Sequence, residues 1–428
     1  MKRLALYFIS FMISSVYAGE LSLYDCYEKA LENHPLQQEI RNRQQIYDLN
    51  RKNLNANWLP LLNANANAVY MSDVVKFDQV LGNLPFPIPA GSFSTMPRDQ
   101  YKITLELRQT IYDGGTVSAG KKVEQAALQT DLLTVESELY KVRDQINQLY
   151  FALLLLDKQS ELTALFKNEI LQRRDALQSA VKNGAVLPSN LDILEAELIK
   201  VEQKITELNI QHDKTRQGLF DVIGEEISDA RFILPTAQLP ERTRLQRPEL
   251  RLFDHQKMTL EKQKKILQSQ RLPKAAVFGT FGYGQPPGNN FFIDSFDTYY
   301  VVGATVNWNI FDWHSTRRSK HALQARQHII DAKEENFKRQ LHIATENSQA
   351  EIEKIESLLK SDEQLIALRE KIKKAAASKL ENGAISSTEF LTELNAEREA
   401  RINFEMHKIQ LVHAKINFLT ITGQIYEN

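Results

Sequence analysis

The chain carries one set of landmarks twice, and a duplication of this kind restricts the fold to something built from two like halves. The first set is Pro35, Trp58-Leu59-Pro60, an alternating run, Ile111-Tyr112-Asp113-Gly114-Gly115, then Asn183-Gly184-Ala185. The second is Pro248, Arg271-Leu272-Pro273, an alternating run, Ile310-Phe311-Asp312-Trp313, then Asn382-Gly383-Ala384. The two prolines stand 25 residues apart in both sets, and the aspartate and the turn glycine 71 apart in both. Gly224 and Gly423 each close a helical passage 40 residues past the turn glycine. These landmarks divide the chain into a leader at 1–18, a first repeat at 19–224, a connector at 225–241 and a second repeat at 242–428. They predict one elongated, pseudo-symmetric unit rather than separate domains.

The leader reads as a secretory signal. Lys2 and Arg3 precede the apolar stretch Leu4 to Ile13, and Val16-Tyr17-Ala18 fits the small-residue cleavage rule, so the mature chain is expected to begin at Gly19. Cys26 is the only cysteine, which excludes an intrachain disulfide, and it is expected to face a helix interface. With 53 Lys+Arg against 54 Asp+Glu there is no electrostatic footprint for nucleic acid. Past residue 20 no apolar run approaches the ~20 residues of a spanning helix. An exported chain of this kind is expected to be either soluble or a β-barrel.

Leu128, Leu132, Val135, Leu139, Val142, Ile146, Leu149, Leu153 and Leu156 follow at steps of four and three, a heptad seam. A second seam runs from Leu191 through Leu194, Leu198, Val201, Ile205, Leu208 and His212 to Leu219 and Val222, and weaker ones follow in the second repeat. Thr116 to Lys182 holds no proline and would make a helix of roughly 100 Å. Asn183-Gly184 and Asn382-Gly383 supply turns with positive φ. Pro188 suits the first turn of one returning helix, and Ser387 or Thr388 is expected to cap the other. The returning helices are about half the length of the descending ones. Helices within 22–57 and 242–270 are expected to stack end to end and cover the remainder, with 225–240 as a connector of strand and turn character.

Four short runs alternate in polarity: Leu62 to Tyr70, Lys102 to Tyr112, Val277 to Tyr283 and Val302 to Ile310. Each is about as long as a tilted strand crossing an outer membrane, with aromatic residues at the ends. No apolar helix face is left over to cover such a sheet. Four strands cannot close on themselves and an open edge is not tolerated in lipid, so they are expected to join a barrel shared between chains.

The order of helix, two strands and long helical hairpin, repeated behind a signal peptide, resembles the TolC-type outer-membrane efflux proteins. The residues that carry the resemblance are Ala30-Leu31-Glu32-Asn33-His34-Pro35, Trp58-Leu59-Pro60, Ile111-Tyr112-Asp113-Gly114-Gly115 and the two Asn-Gly tips. The resemblance covers residues 20 to 424. It implies a mostly α fold with a membrane β-barrel portion: coiled-coil hairpins forming a periplasmic tunnel, and four strands per chain in a twelve-stranded barrel of a homotrimer. It implies an outer-membrane channel of a Gram-negative bacterium with a large periplasmic portion. It further implies docking to a periplasmic adaptor and an inner-membrane pump of RND or ABC type, in efflux or type I secretion. The tip residues Gly184, Ala185, Val186, Leu187 and Pro188, with Gly383, Ala384, Ile385, Ser386 and Ser387, are expected to be exposed and to contact the adaptor. In the family, acidic residues just past the second tip line a constriction. The matching positions are Glu389 and Thr392, only the first of them acidic, and Asp192 is the nearest acid past the first tip.

No cofactor, metal or catalytic constellation is read. His314, His321 and His328 are seven apart, ~10 Å between neighbours on a helix, which is too far to share one ion. The loop from Gly282 to Gly288 precedes no helix. The competing reading is a periplasmic coiled-coil scaffold or tether without channel activity, its strands forming a soluble sheet.

Overall fold

The computed structural model describes residues 19–75, 96–184, 186–226, 230–240, 242–290 and 293–424. The leader, Ala185 and most of the 72–100 loop lie outside the described residues. In chain order the elements are β1 (Glu20–Leu21), α1 (Leu23–Asn33), α2 (Leu36–Ala56), β2 (Leu61–Tyr70), β3 (Asp99–Tyr112), α3 (Thr116–Lys182), α4 (Ser189–Ile223), β4 (Arg231–Phe232), α5 (Pro248–Ser269), β5 (Lys274–Gln285), β6 (Asp297–Asn307), α6 (Ser315–Glu381) and α7 (Ser387–Thr422). The long helices α3 and α6 both have 67 residues. The returning helices α4 and α7 have 35 and 36.

The segments form two compact units, each drawn from both halves of the chain. One gathers the start of the chain to Ile40, Leu133–Leu252 and Glu334 onward. Its helix ends are set by local chemistry. Ser22 opens α1 with a capping box: its hydroxyl accepts the Asp25 N–H at 3.1 Å, and the Asp25 carboxylate accepts the Ser22 N–H at 2.9 Å. His34-Pro35 then separates α1 from α2. Gly224 and Gly423 end α4 and α7 at φ 75° and 80°, a conformation in which glycine escapes the Cβ penalty.

The main core of this unit brings together Leu23, Cys26, Tyr27 and Ala30 of α1, Ile146, Tyr150, Phe151 and Leu153 of α3, Leu219 and Ile223 of α4, and Ile416 and Leu419 of α7. The seam residues Val135, Leu139, Ile146, Leu153 and Leu156 are buried as their spacing predicts, but so are Leu133, Tyr140, Asn147, Tyr150 and Phe151. Here α3 is enclosed on more than one stripe. Cys26 is buried in this core, which pushes its thiol up to about 12. Polar side chains pin the core. The Tyr150 hydroxyl donates to the Leu21 carbonyl at 2.8 Å and accepts the Ile233 N–H at 3.0 Å, clamping the short parallel pair β1–β4. The carbonyl of Thr420 accepts from Tyr140 at 2.9 Å and from Arg247 at 3.1 Å. Asn147 donates to the Thr420 hydroxyl at 3.1 Å, and the Tyr27 hydroxyl donates to Asn147.

The other unit holds Arg41–Leu132 and Phe253–Lys333. Its centre is a four-stranded antiparallel sheet in the order β2-β3-β5-β6. Helix α2 is tied to the start of α3 by Arg43–Asp131 at 3.1 Å and Asn50–Glu124 at 2.9 Å. Gly120 lies within α3, and a Cβ there would meet Leu54 of α2 at 3.1 Å. Helix α5 is tied to α6 by Lys264–Gln327 at 2.6 Å.

Several expected boundaries move: β3 begins at Asp99 rather than Lys102, β5 runs from Lys274 to Gln285 rather than from Val277 to Tyr283, and β6 begins at Asp297 rather than Val302. The helix of 242–270 begins only at Pro248. The last strand ends at Asn307, not Ile310, because Asn307 pairs with Lys274, the first residue of β5, and 308–310 has no neighbouring strand among the described residues.

The glycines give a direct test of the packing. A Cβ on Gly423 would stand 2.5 Å from the backbone of Gln246 and Arg247, whereas one on Gly184 meets nothing within 4 Å. Both have positive φ. Gly423→Ala should therefore cost about 2–4 kcal/mol and Gly184→Ala only about 1 kcal/mol. Thermal unfolding followed by circular dichroism checks this; equal losses would reject the close approach.

Candidate functional site

At the tips, backbone chemistry comes first. Gly184 and Gly383 adopt φ 73° and 69°. The Ala384 N–H bonds the Lys379 carbonyl at 2.8 Å, and the Gly383 N–H bonds that of Leu380 at 3.0 Å, so the last carbonyls of α6 are satisfied. Pro188 precedes α4 in a helical conformation and provides no side-chain cap.

Helix α7 opens with a full capping box, and its cap is Ser386 rather than the expected Ser387 or Thr388. The Ser386 hydroxyl accepts the Glu389 N–H at 3.3 Å. The Glu389 carboxylate accepts the Ser386 N–H at 2.8 Å and its hydroxyl at 3.0 Å, both on Oε2. The N–H bond, then the hydroxyl bond, hold the Glu389 carboxyl below its ordinary value.

The expected tip set divides by exposure. Gly184, Leu187, Pro188, Gly383, Ala384 and Ser386 are exposed, Leu187 to 70%. Val186 and Ile385 are half-buried against the tip core of Phe166, Ile170, Leu177, Leu194, Leu198, Leu380, Phe390 and Leu394. Ser387 is fully buried, which corrects the expectation that it is exposed. Its N–H bonds the Asn190 side-chain carbonyl at 3.1 Å, tying the start of α7 to the start of α4. Asp192, Glu389 and Thr392 are all exposed.

Behind the tips lies a charge cluster that periodicity did not find, because each member sits singly among ordinary surface charges in the sequence. Glu397 of α7 is buried, and its carboxylate meets Arg401 at 2.7 Å and Lys373 of α6 at 3.3 Å. Lys373 reaches Glu169 of α3 at 3.4 Å, and Arg401 reaches Glu370 at 2.6 Å. The hydrogen bond to Glu397 is the main cause that raises the Arg401 guanidinium above its ordinary value. Arg398 stacks on Phe166, 4.1 Å from the ring centre. Glu169, Lys373, Glu397, Arg398 and Arg401, with Leu162, Leu165 and Phe166, line a cavity of about 350 Å³.

The sheet has two unlike faces, and the register keeps them continuous. Leu62, Ala64, Ala66 and Ala68 stand opposite Leu107, Leu105, Ile103 and Tyr101. Leu107, Leu105 and Ile103 face Gly279, Phe281 and Tyr283, and Val277, Gly279 and Phe281 face Ala304, Val302 and Tyr300. This apolar face is uncovered; Ile103 is 61% exposed and Val302 77%. The other face carries Asn63, Asn65, Asn67, Lys102, Thr104, Glu106, Arg108, Thr280, Thr305 and Asn307. Two rings on it lie over glycines directly opposite, Tyr299 over Gly282 and Phe278 over Gly303. Aromatic side chains mark both ends: Trp58, Tyr112, Trp308 and Phe311 where the helices join, Tyr70, Tyr101, Tyr283 and Tyr300 at the other. Where the first half has Gly114-Gly115 at positive φ, the second holds Trp313 and His314 at φ 51° and 63°. No helix among the described residues is long and apolar enough to cross a membrane.

Residues 26–225 match the model of the outer membrane efflux protein family. No curated protein matches the sequence. Among solved structures, CusC, whose crystal structures concern folding and transmembrane channel formation, is 13% identical over 94% of this chain and 92% of that chain, with a TM-score of 0.71. The outer membrane protein VceC of Vibrio cholerae is 14% identical over 95% and 97%, with a TM-score of 0.68. The MtrE outer membrane channel of Neisseria gonorrhoeae, in its open state, is 15% identical over 96% and 93%, with a TM-score of 0.65. Residues 26–225 are thus similar to the outer membrane efflux protein family, and the chain as a whole has the fold of these solved structures. The TolC-type resemblance and the mostly helical fold read from the sequence are borne out.

Two outcomes test the site. The Glu389 cap is strongest above the ordinary carboxyl value of 4.5 and is lost as pH falls through the lower folded value. Amides 386–389 should lose hydrogen-exchange protection only below that point, and Glu389→Gln should make their protection independent of pH there. Separately, Glu397→Ala removes the buried carboxylate shared by Lys373 and Arg401, leaving each with one half-exposed partner, Glu169 and Glu370. A loss of about 2–3 kcal/mol is expected, below that of a fully buried pair because Arg401 reaches solvent; denaturant unfolding measures it, and a loss under half a kcal/mol would reject the cluster as a tie.

Proposed function

We propose that the chain is the outer-membrane exit duct of a tripartite efflux or type I secretion system, a passive channel without chemistry of its own. The observation that carries this is the uncovered apolar face. A sheet in water hides one apolar face against a core, and transmembrane barrel strands turn theirs to lipid while polar side chains line the interior. The polar face of asparagines, threonines, Lys102, Glu106 and Arg108 would line the water-filled bore.

In this reading the two halves are tandem repeats, at 19–224 and 242–428, joined by the connector at 225–241. Three copies contribute four strands each to a twelve-stranded barrel, and the helical hairpins form a periplasmic tunnel. Leu187, Pro188, Gly184, Gly383 and Ala384 form the contact with a periplasmic adaptor, itself coupled to an inner-membrane pump of RND or ABC type. Val186 and Ile385 support that surface from below. Asp192 and Glu389, in the first turns of α4 and α7, and Thr392, in the second turn of α7, line the constriction. A ring of carboxylates there would favour cations.

Reconstitution into a planar bilayer, with the oligomer mass determined in detergent, tests the proposal. Discrete conductance steps from a trimer are expected. A water-soluble monomer that never conducts would replace the duct by the coiled-coil scaffold. Leu187→Arg and Ala384→Arg should abolish export in cells while leaving conductance unchanged; normal export would remove the tips from the adaptor contact.

A further inference from the structure

The sheet contains one contact between the two halves of the chain, β3 against β5. In it Gln109 faces Val277, Arg108 faces Phe278, Leu107 faces Gly279, Glu106 faces Thr280 and Leu105 faces Phe281. Among the described residues no strand lies beside the outer edges of β2 and β6. When Asp113 is laid on Asp312 and Pro60 on Pro273, β3 falls on β6 and β5 falls on β2. The contact inside the chain is thus a template for a contact between chains.

We infer that β6 of one copy pairs antiparallel with β2 of a second copy, with Trp308 opposite Ala64, Val306 opposite Ala66 and Ala304 opposite Ala68. The inference rests on the reading of a shared barrel and deepens it by fixing the register at which the copies join.

Four observations that did not enter the overlay agree with it. The strand directions alternate along β2-β3-β5-β6, so a second β2 beside β6 is antiparallel as the template requires. Parity is right: Val302, Ala304 and Val306 land opposite Tyr70, Ala68 and Ala66, all on the apolar face, while Thr305 and Asn307 land opposite Asn67 and Asn65 on the polar face. A slip of one residue would reverse every one of these. Bulk is complementary, since Trp308 and Val306 meet alanines. Finally, β6 stops at Asn307 for a reason the template supplies. Residues 308–311 correspond to Gln109–Tyr112, which pair with β5 alone and carry a bulge between Thr110 and Tyr112; their counterparts have a partner only in the second copy.

At one point the template cannot be followed closely. A Cβ at Gly114 would stand 2.9 Å from the Leu272 Cβ, so Trp313 in the same place must open the contact with Leu59 of the second copy.

Disulfide trapping in the full chain, with Cys26→Ala as background, tests the register. Val306→Cys is combined in turn with Ala64→Cys, Ala66→Cys and Ala68→Cys, and the proteins are oxidised in outer-membrane fractions. The Ala66→Cys combination should give reducible dimers and trimers at least about fivefold more efficiently than the other two, because directly opposite residues lie within disulfide reach and diagonal ones beyond it. Preferential trapping with Ala64→Cys or Ala68→Cys, or trapping with none in a protein that still conducts as a trimer, would overturn the register and leave the channel standing. A non-conducting monomer with no trapping would overturn the shared barrel itself.

Discussion

The structure turns on where the backbone hydrogen bonds of four strands are satisfied. Within the sheet β3 and β5 are paired on both sides, while β2 and β6 each keep one open edge. In water such an edge invites aggregation, and in hydrocarbon each unpaired amide costs several kcal/mol. The same sheet leaves an apolar face exposed, with nothing among the described residues to cover it. Both features are what the proposed shared barrel would resolve, with neighbouring strands from other copies and lipid as the cover.

The second constraint is the helix terminus. A 67-residue helix leaves its last carbonyls unpaired wherever it stops. At Gly383 the chain reverses through a positive-φ glycine, returns two N–H groups to those carbonyls, and opens α7 with Ser386 and Glu389 satisfying each other. Glu389 is thus both a member of the expected constriction and a structural cap. Its pH response follows from the cap, whatever it does in the bore. The tip core of Phe390, Leu194 and Leu394 and the Ser387–Asn190 bond then fix the two tips to each other. The proposed adaptor contact would fall to the few side chains that this packing does not use.

Burial of charge behind the tips follows a different logic. Glu397 is held among Lys373 and Arg401, with Glu169 and Glu370 completing the alternation of sign. Such clusters add little net stability relative to apolar packing but penalise any arrangement that leaves a member unpaired. They suit a helical assembly whose apolar seams alone would permit sliding by a heptad.

The sequence by itself determined the element order, the long helices, the two Asn-Gly tips and the alternation that makes a two-faced sheet. Those are encoded in short-range spacing: heptads, period-two runs, glycine and proline at the turns. Strand limits, the β1–β4 pair clamped by Tyr150, the buried Ser387 and the Glu397 cluster were decided only by tertiary structure, because each depends on a partner far along the chain. Ser387 shows the difference. Its residue type suits a cap, yet one position of shift in the helix start gives that role to Ser386 and turns Ser387 into the core. The apolar face of each strand was likewise legible as a pattern, but only the register, with Ala66 against Ile103 and Ile103 against Tyr283, joined four separate patterns into one continuous surface.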